Sequence, residues 1–252
     1  MSPSATGGKK TSKSSPRKST PPKLLILGAG GHGRVVAFTA RAMKRWAEVA
    51  FLDDRFWDRR SLRGDEKVDG VPLVGALKAA STLVGEYADA VVAMGDSEKR
   101  LRLLKKLQDW GFNLPVITHP SAAVSEHASI GAGTVVFAHA VIHPGATLGR
   151  GCIVNTAATV DHDCSIGVGV HLSPGVHLGG GVTVGDLSWL GLGAVVRNGV
   201  IIGEEVTIGA GAAVVTHVPD LVTALGVPAR VAPSADAELD IDGSEPEPQL
   251  PL

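Results

Sequence analysis

Aromatic side chains are scarce in this chain, which has 252 residues of which only 4% are Phe, Trp or Tyr. Cysteine is nearly absent, because Cys152 and Cys164 are the only two, and two cysteines cannot form a disulfide framework or a four-ligand zinc site by themselves. No apolar run approaches 18 residues, so no membrane-spanning segment is predicted. The chain has 24 Lys and Arg against 25 Asp and Glu, which argues against a nucleic-acid-binding protein. Glycine is abundant at 32 residues, and with so few aromatics it favours a core of small aliphatic side chains.

The two ends of the chain offer little that a core could bury. Residues 1–22 are rich in Ser, Thr, Pro and basic residues, and they lack the apolar stretch of a secretory signal, so a cytoplasmic location is expected. Residues 233–252 carry six acids and no base. Both segments are predicted to be disordered tails, because burial within them cannot offset the entropy lost on ordering.

Residues 23–118 alternate short apolar runs with helical stretches, which is typical of a parallel sheet connected by helices. A helix is expected to begin at Asp96 or Ser97, either of which can cap it, and to run to about Trp110. The other predicted elements are strands at 23–27, 49–52, 90–94 and 115–118 and a helix at 34–48.

The first strand runs directly into Gly28-Ala-Gly-Gly-His-Gly33, a glycine-rich turn before a helix, and Asp53 follows twenty residues later. Glycines at this spacing let the backbone approach a pyrophosphate at the positive end of a helix. The motif alone fits a dinucleotide, a nucleotide sugar or a tight turn that binds nothing. A unit of about 95 residues is too small for a complete NAD-dependent oxidoreductase, so a nucleotide sugar is the favoured ligand.

The second half of the chain repeats every six residues. Sixteen consecutive positions, from Val124 to Val214 in steps of six, are all Val, Ile or Leu. The residues four positions later, from Ala128 to Val218, are all small or β-branched. This hexapeptide pattern predicts a parallel β-helix over residues 119–219, with three hexads in each triangular coil and about five coils. Cys152 and Cys164 fall on the inward small position and are therefore expected to fill the core.

One segment of the repeat carries candidate catalytic groups. Asp161-His162-Asp163 places a histidine at an outward position of its hexad, between two carboxylates. A carboxylate bonded to one ring nitrogen leaves the other nitrogen free to act as a general base. On the residues alone, a surface histidine with incidental acidic neighbours is an equally good interpretation.

From Leu24 to Arg230 the chain resembles the sugar-nucleotide N- and O-acetyltransferases, which join a short Rossmann-like domain to a left-handed β-helix. The similarity is greatest to the acetyltransferases of UDP-4-amino sugars, perosamine and sialic acid. The matching segments are Gly28–Arg34, Phe51–Asp54, Met94–Arg100, Asn155–Thr156, Val160–Gly167 and Gly226–Arg230.

The resemblance implies a homotrimer without a metal, in which acetyl-CoA lies in the groove between adjacent β-helices. The acceptor would be a nucleotide-linked amino sugar of the 4-amino-4,6-dideoxy type, used for surface glycans. His162 would take the proton of the sugar amine, Asp163 or Asp161 would orient its ring, and the Gly180 N–H would donate to the thioester oxygen.

The resemblance also implies two sets of binding residues. The acceptor set is Gly28, Gly30, Gly31, His32, Gly33, Asp53, Asp54, Asp96, Arg100 and Asn155. The acetyl-CoA set is Gly180, His171, Leu192, Ala210, Pro228 and Arg230, the last two in a segment, 220–232, near the adenosine end.

Other functions compete with this interpretation. A metal enzyme of the γ-carbonic anhydrase type is disfavoured, because no second histidine follows His162 within five residues. A non-catalytic scaffold is disfavoured by the intact Asp161-His162-Asp163 segment and glycine-rich turn. O-acetylation of a sialic acid stays open, because an amine and a hydroxyl can use the same base.

Overall fold

The structure, a computed structural model, describes residues 21–54 and 66–233, in which the chain forms an α/β domain followed by a parallel β-helix. The predicted tails lie outside the described residues, apart from residues 21, 22 and 233. Within those ranges, none of the helices combines the length and the apolar composition that a bilayer crossing requires.

The N-terminal domain is a five-stranded sheet with helices on both sides. Its strands lie in the order β3-β4-β2-β1-β5, all parallel except β3, which pairs antiparallel with β4. Leu24 and Ile26 pack towards the first helix, whereas Leu25 and Leu27 pack towards the last, as the alternation of a strand requires. The elements are β1 (Lys23–Leu27), α1 (Gly31–Ala42), β2 (Glu48–Leu52), β3 (Lys67–Val68), β4 (Val71–Gly75), a 3-10 turn (Leu77–Ala79), α2 (Ala80–Leu83), β5 (Asp89–Val92) and α3 (Ser97–Asp109).

Two predicted boundaries in this domain are wrong, and one is confirmed. Helix α1 begins at Gly31, directly after the glycine-rich turn, and ends at Ala42 rather than at residue 48. The chain leaves the helix at Lys44, which has a φ of 52°, and then joins the sheet. Asp96 caps α3 as predicted, with its Oδ1 accepting a hydrogen bond of 2.8 Å from the Lys99 N–H.

The β-helix has three faces, which the chain visits in turn. Face 1 contains β6 (Ile117–Thr118), β9 (Val135–Val136), β12 (Ile153–Val154), β15 (His171–Leu172), β18 (Trp189–Leu190), β21 (Thr207–Ile208) and β23 (Thr223–Leu225), with β24 (Arg230–Val231) antiparallel at its end. Face 2 contains β7 (Ala123–Val124), β10 (Val141–Ile142), β13 (Thr159–Val160), β16 (His177–Leu178), β19 (Val195–Val196) and β22 (Ala213–Val214). Face 3 contains β8 (Ser129–Ile130), β11 (Thr147–Leu148), β14 (Ser165–Ile166), β17 (Thr183–Val184) and β20 (Ile201–Ile202).

The β-helix is longer than the hexad pattern predicts. The strand expected at 115–118 is β6, which pairs with β9 on face 1 and does not belong to the N-terminal sheet. At the other end, β23 pairs in parallel with β21. The β-helix therefore extends beyond 119–219 in both directions and has about six coils rather than five.

The inward positions of the repeat form one continuous core, as predicted. The aliphatic positions from Val136 to Val214 and the small positions between them are buried in a single cluster, which includes Cys152 and Cys164. Each of these thiols donates to a backbone carbonyl one coil above, that of Gly167 or Gly179.

The N-terminal domain packs on face 1 and on the corner between faces 3 and 1. Ile117, Val135 and Ile153, the outward residues of the first three face-1 strands, belong to the same buried cluster as α1. Helix α3 lies across the neighbouring corner, where Leu101 and Leu104 cover a column of glycines. The glycines of this column are Gly133, Gly151 and Gly169, one from each successive coil.

We expect Gly151→Ala to destabilise the protein more than Gly199→Ala. Both glycines have a similar φ, 66° and 69°, so both variants carry the strain of a left-handed alanine. The Cβ of an alanine at position 151 would lie 2.6 Å from Leu104 Cδ1. The Cβ of an alanine at position 199 would have no such neighbour within 4 Å. Overpacking of this kind costs about 1–3 kcal/mol. Thermal melts at equal protein concentration measure the difference in Tm. Equal decreases of Tm in the two variants would contradict the inferred packing of Leu104 on Gly151.

Candidate active site

His162, at the corner between faces 2 and 3, is the one histidine of the described residues whose ring is hydrogen-bonded to a carboxylate. Its ring Nδ1 lies 2.9 Å from Asp163 Oδ2, while Asp161 Oδ1 accepts a hydrogen bond of 2.8 Å from the His162 backbone N–H. The sequence left open which acid faces the ring, and the geometry selects Asp163. Asp161 instead fixes the backbone of the turn.

This contact determines the chemical state of the ring. Because a carboxylate only accepts hydrogen bonds, Nδ1 carries the proton and Nε2 is left with its lone pair. The hydrogen bond to Asp163, reinforced by the nearby charge of Asp161, raises the pKa of His162 above its ordinary value. The ring is also accessible, because 63% of the side chain is exposed. His162 can therefore accept a proton from a molecule that docks at this corner.

Gly180 lies one coil above His162, and because it has no side chain the imidazole can lie against its backbone. A Cβ on Gly180 would lie 2.5 Å from His162 Nε2, so no other residue fits here without moving the ring. Among the described residues, the Gly180 N–H has no hydrogen-bond partner. A base and an unpaired backbone donor thus lie side by side, as stabilisation of a developing oxyanion requires.

A cavity of about 420 Å³, which we call the loop cavity, opens at the carboxyl ends of β1, β2 and β5. This is where open α/β sheets bind their ligands. Asp53 is 4% exposed, and its Oδ2 accepts a hydrogen bond of 2.7 Å from the Ala29 N–H, so it also shapes the glycine-rich turn. The cavity is lined by Gly28, Gly30, His32, Asp53, Asp54, Leu77, Ala93, Met94, Gly95, Asp96 and Lys99.

The other predicted glycines of the turn have different positions. Gly31 is the exposed first residue of α1 and does not line the cavity. Gly33 is buried, and a Cβ there would lie 2.0 Å from the Gly28 carbonyl oxygen. Gly33 therefore permits close packing of the helix against the turn.

His32, His171 and Asn155 come together where the N-terminal domain meets face 1. The rings of His32 and His171 are 6.5 Å apart, and Asn155 Nδ2 lies 3.4 Å from His171 Nε2. Burial, with a smaller contribution from the charge of Arg100, lowers the pKa of His32 to about 4 and that of His171 to about 3. Both rings are therefore neutral near pH 7 and differ in this respect from His162.

A larger cavity of about 730 Å³, which we call the face cavity, lies between α3 and face 1. It shares Gly95 and Asp96 with the loop cavity, so the two are neighbours. Its lining residues are Gly95, Asp96, Ser97, Glu98, His171, Leu187, Trp189, Glu205, Val206 and Thr207.

Among the cavity residues that sequence reasoning missed, Trp189 and Lys99 have side chains well suited to contact a ligand. Trp189 stands next to His171 in the outward ladder of face 1, is 41% exposed and has its ring centroid 6.5 Å from that of His171. Lys99 lies in the first turn of α3 and lines the loop cavity. The sequence did contain a signal for Trp189. The outward residues of the face-1 strands are Ile or Val where the N-terminal domain covers them, and they change to His171 and Trp189 in the next two strands.

The structure gives Arg100 a different role from the one expected. The residue is 1% exposed, and its guanidinium is bonded to protein carbonyls and to Ser97, so it is not available to contact a substrate. Leu192 and Ala210 lie with Asn155 at the corner between faces 1 and 2, both exposed. Pro228 and Arg230 are exposed near the end of the β-helix.

The candidate catalytic residues thus lie apart from the candidate acceptor-binding residues. His162, Asp163 and Gly180 occupy the corner between faces 2 and 3, whereas the loop cavity, His171 and Asn155 lie at face 1. In a three-sided coil this corner is opposite face 1. Residues 21–54 and 66–233 contain no cluster of three or more His, Cys, Asp or Glu side chains arranged to hold a metal.

Known proteins resemble this chain in sequence and in fold. Residues 23–107 match the family model described as the PglD N-terminal domain. Over 117 residues, 46% of this chain, the sequence is 39% identical to UDP-N-acetylbacillosamine N-acetyltransferase of Bacillus subtilis (strain 168), and the matched segment spans 51% of that relative's length.

Two solved structures match nearly over their full lengths. The acetyltransferase domain of PglB from Neisseria gonorrhoeae, in complex with acetyl coenzyme A, is 44% identical, with a TM-score of 0.78 and coverage of 84% of this chain and 99% of that one. PerB from Caulobacter crescentus, in complex with CoA and GDP-perosamine, is 40% identical, with a TM-score of 0.76 and coverage of 84% and 97%. These matches confirm a Rossmann-like domain followed by a left-handed β-helix.

Proposed function

The chain belongs to the family of sugar-nucleotide acetyltransferases with a Rossmann-like domain and a left-handed β-helix, and we propose that it transfers the acetyl group of acetyl-CoA to the amine of a nucleotide-linked amino sugar. The observation that carries the proposal is the Asp163–His162 pair beside the Gly180 N–H. It supplies the base and the oxyanion donor that acyl transfer to an amine needs.

The reaction at this corner begins with attack of the neutral sugar amine on the thioester carbonyl carbon. His162 Nε2 takes the proton that the nitrogen loses as the C–N bond forms, and the Gly180 N–H donates to the carbonyl oxygen as it becomes negative. The C–S bond then breaks, and His162 returns its proton to the departing thiolate of CoA. Asp163 holds the ring in one tautomer throughout and offsets the charge of the imidazolium.

The acceptor is proposed to bind through its nucleotide in the loop cavity. The N-terminus of α1 and the glycine-rich turn favour a pyrophosphate, with Lys99 at the cavity wall as a further positive group. Asp53 and Asp54 lie at the end of β2, where a ribose or base is bound in related sheets. One relative is named for a UDP-linked sugar, and another was solved with a GDP-linked sugar bound. A test of acceptors should therefore include both UDP- and GDP-linked sugars.

The geometry supports a site in which the acceptor and the base come from different copies of the chain. The loop cavity and His171 are at face 1, and His162 is at the opposite corner of the same coil. We therefore propose the homotrimer that the family resemblance implies. In such a trimer the corner of one copy, with His162 and Gly180, meets face 1 of the next copy, with acetyl-CoA in the groove between them. Leu192 and Ala210 would line that groove.

A panel of acceptors tests the function directly. We expect acetyl-CoA consumption with at least one 4-amino sugar linked to UDP, GDP or dTDP, and none with the matched sugar that bears a hydroxyl in place of the amine. Mass spectrometry of the product identifies the acetylated atom. Turnover of only the hydroxyl compounds, or of a free sialic acid, would replace N-acetylation by O-acetylation.

We expect His162→Ala to lower kcat by about 10²- to 10⁴-fold, which is the usual contribution of a general base. Calorimetric binding of acetyl-CoA should change little, because the variant removes only an exposed ring. His143→Ala is the matched control, because it removes an exposed histidine from the same corner one coil below. A kcat for His162→Ala within a few-fold of the wild type would place the base elsewhere.

The pH dependence of the rate reports the Asp163 contact. The base is active when neutral, so the rate falls as the pH drops through the pKa of His162, which lies above the ordinary value. Asp163→Asn removes the largest cause of that rise, so we expect the acid limb of kcat/KM to move down by about half a unit to one unit. Titration of the substrate amine is common to both enzymes and cancels in the difference. A limb that stays in place or moves up would contradict the assignment of Asp163.

A further inference from the structure

Arg100 is a buried cation that the reaction just described does not use. It lies in the first turn of α3, is 1% exposed and occupies the boundary between the two domains. The ion pairs found among the described residues do not include it. A buried charge without a carboxylate partner is costly, so the hydrogen bonds that retain it must be nearly complete.

The five N–H donors of the guanidinium match five acceptors. Nε donates to the Gly151 carbonyl at 2.7 Å, and Nη2 donates to the Gly169 carbonyl at 2.7 Å, and both of these acceptors belong to the β-helix. The remaining donors bind the N-terminal domain, at the carbonyls of Met94 (2.8 Å) and Gly95 (2.9 Å) and at Ser97 Oγ (3.1 Å). A lysine has three donors on one atom and cannot bridge these positions.

The segment that Arg100 holds is part of both cavities. Met94 lines the loop cavity, Ser97 lines the face cavity, and Gly95 lines both. On the other side, Gly151 and Gly169 occupy equivalent places in successive coils, so their carbonyls offer two acceptors at the repeat spacing of the β-helix. The guanidinium therefore connects the wall of the acceptor site to the rigid coil that carries His171.

We propose that Arg100 is a positioning residue, which fixes the nucleotide-binding domain on the β-helix so that the bound sugar amine meets the catalytic corner of the neighbouring copy. This role rests on the proposed acetyl transfer. Its charge has a second effect that agrees with the geometry, since it contributes to the lowered pKa values of both His32 and His171. The same group thus fixes the domains and adds to the burial that keeps the two histidines between them neutral.

Three variants of the full-length protein test the proposal. Arg100→Lys keeps the charge and loses the five-point geometry, whereas Arg100→Gln loses both. Leu101→Ala is the matched control, because it loosens the packing of α3 on Gly151 and Gly169 and leaves the guanidinium in place. We expect both Arg100 variants to lower kcat by about 10- to 100-fold, since misplacement by an ångström can have this effect. Leu101→Ala should lower Tm and keep kcat within about threefold, because packing alone does not set the alignment.

Binding of UDP and GDP separates positioning from loss of the site. These nucleotides lack the amino sugar and would contact only the N-terminal domain in the proposed site. We therefore expect the Kd of whichever one the wild type binds to change less than about threefold in Arg100→Lys, because the mutation does not alter that contact. A kcat unchanged in both Arg100 variants would overturn the proposal. So would a Leu101→Ala variant whose kcat falls as far as theirs. Failure of both Arg100 variants to fold, with Leu101→Ala folded, would assign Arg100 to stability alone and also overturn it.

A readout without turnover tests the electrostatic effect. In protein labelled at histidine, NMR titration should show that Arg100→Gln raises the pKa of His171 and His32 by about half a unit or more, since a nearby positive charge has been removed. Arg100→Lys should leave both values near those of the wild type. Equal pKa values in all three proteins would contradict this effect. If no amino sugar is acetylated by the wild type, the proposed function fails, while nucleotide binding and the histidine titrations still decide the placement of Arg100.

Discussion

A three-sided coil cannot bring one of its corners to the face opposite, and the arrangement of this protein depends on that constraint. The chain turns through three faces every 18 residues, so that Ile153 pairs with His171 and Thr159 with His177. His162 falls after a strand of face 2, at a corner, and its position is fixed by the register of the whole repeat. The N-terminal domain covers face 1, where its apolar cluster continues onto Val135 and Ile153. The proposed base and the proposed acceptor cavity are thereby separated within one chain, and this separation is the reason for proposing a site built from two copies.

The boundary between the domains uses the repeat in two ways. Glycines at one corner leave a column into which Leu101 and Leu104 fit, and the carbonyls of two of the same glycines accept hydrogen bonds from Arg100. Both features recur once in each coil, so helix α3 contacts successive coils of the β-helix in the same way. The neutral pair His32 and His171 lies beside this contact, whereas the exposed His162 has a raised pKa. Three histidines therefore have different protonation behaviour, set by burial and by the nearest charge.

Much of the fold could be predicted from the sequence, because the repeat has a strict period and each hexad repeats the same inward pattern. The glycine-rich turn and the Asp96 cap were also readable, since both are local. The assignment of residues 115–118 to the wrong sheet shows the limit, because a short apolar run is compatible with any sheet and only pairing with Val135 and Val136 decides. For the site, the two flanking carboxylates singled out His162 and the resemblance added Gly180. The two residues are close in space because they lie one coil apart. The burial of Arg100 was not predictable, because nothing local distinguishes an arginine that binds a substrate from one that joins two domains.

The central claim is that each active site combines the acceptor cavity of one copy with His162 of another. The most direct measurement is the activity of mixed assemblies of two impaired variants, His162→Ala and Asp53→Ala, co-expressed with different tags and purified through both. The assay uses a sugar-nucleotide concentration at which Asp53→Ala alone is nearly inactive. The account predicts that mixed trimers recover activity far above either parent, since about one site in three then pairs an intact cavity with an intact His162. Activity no greater than the average of the two parents would show that each site lies within a single chain and would contradict the account.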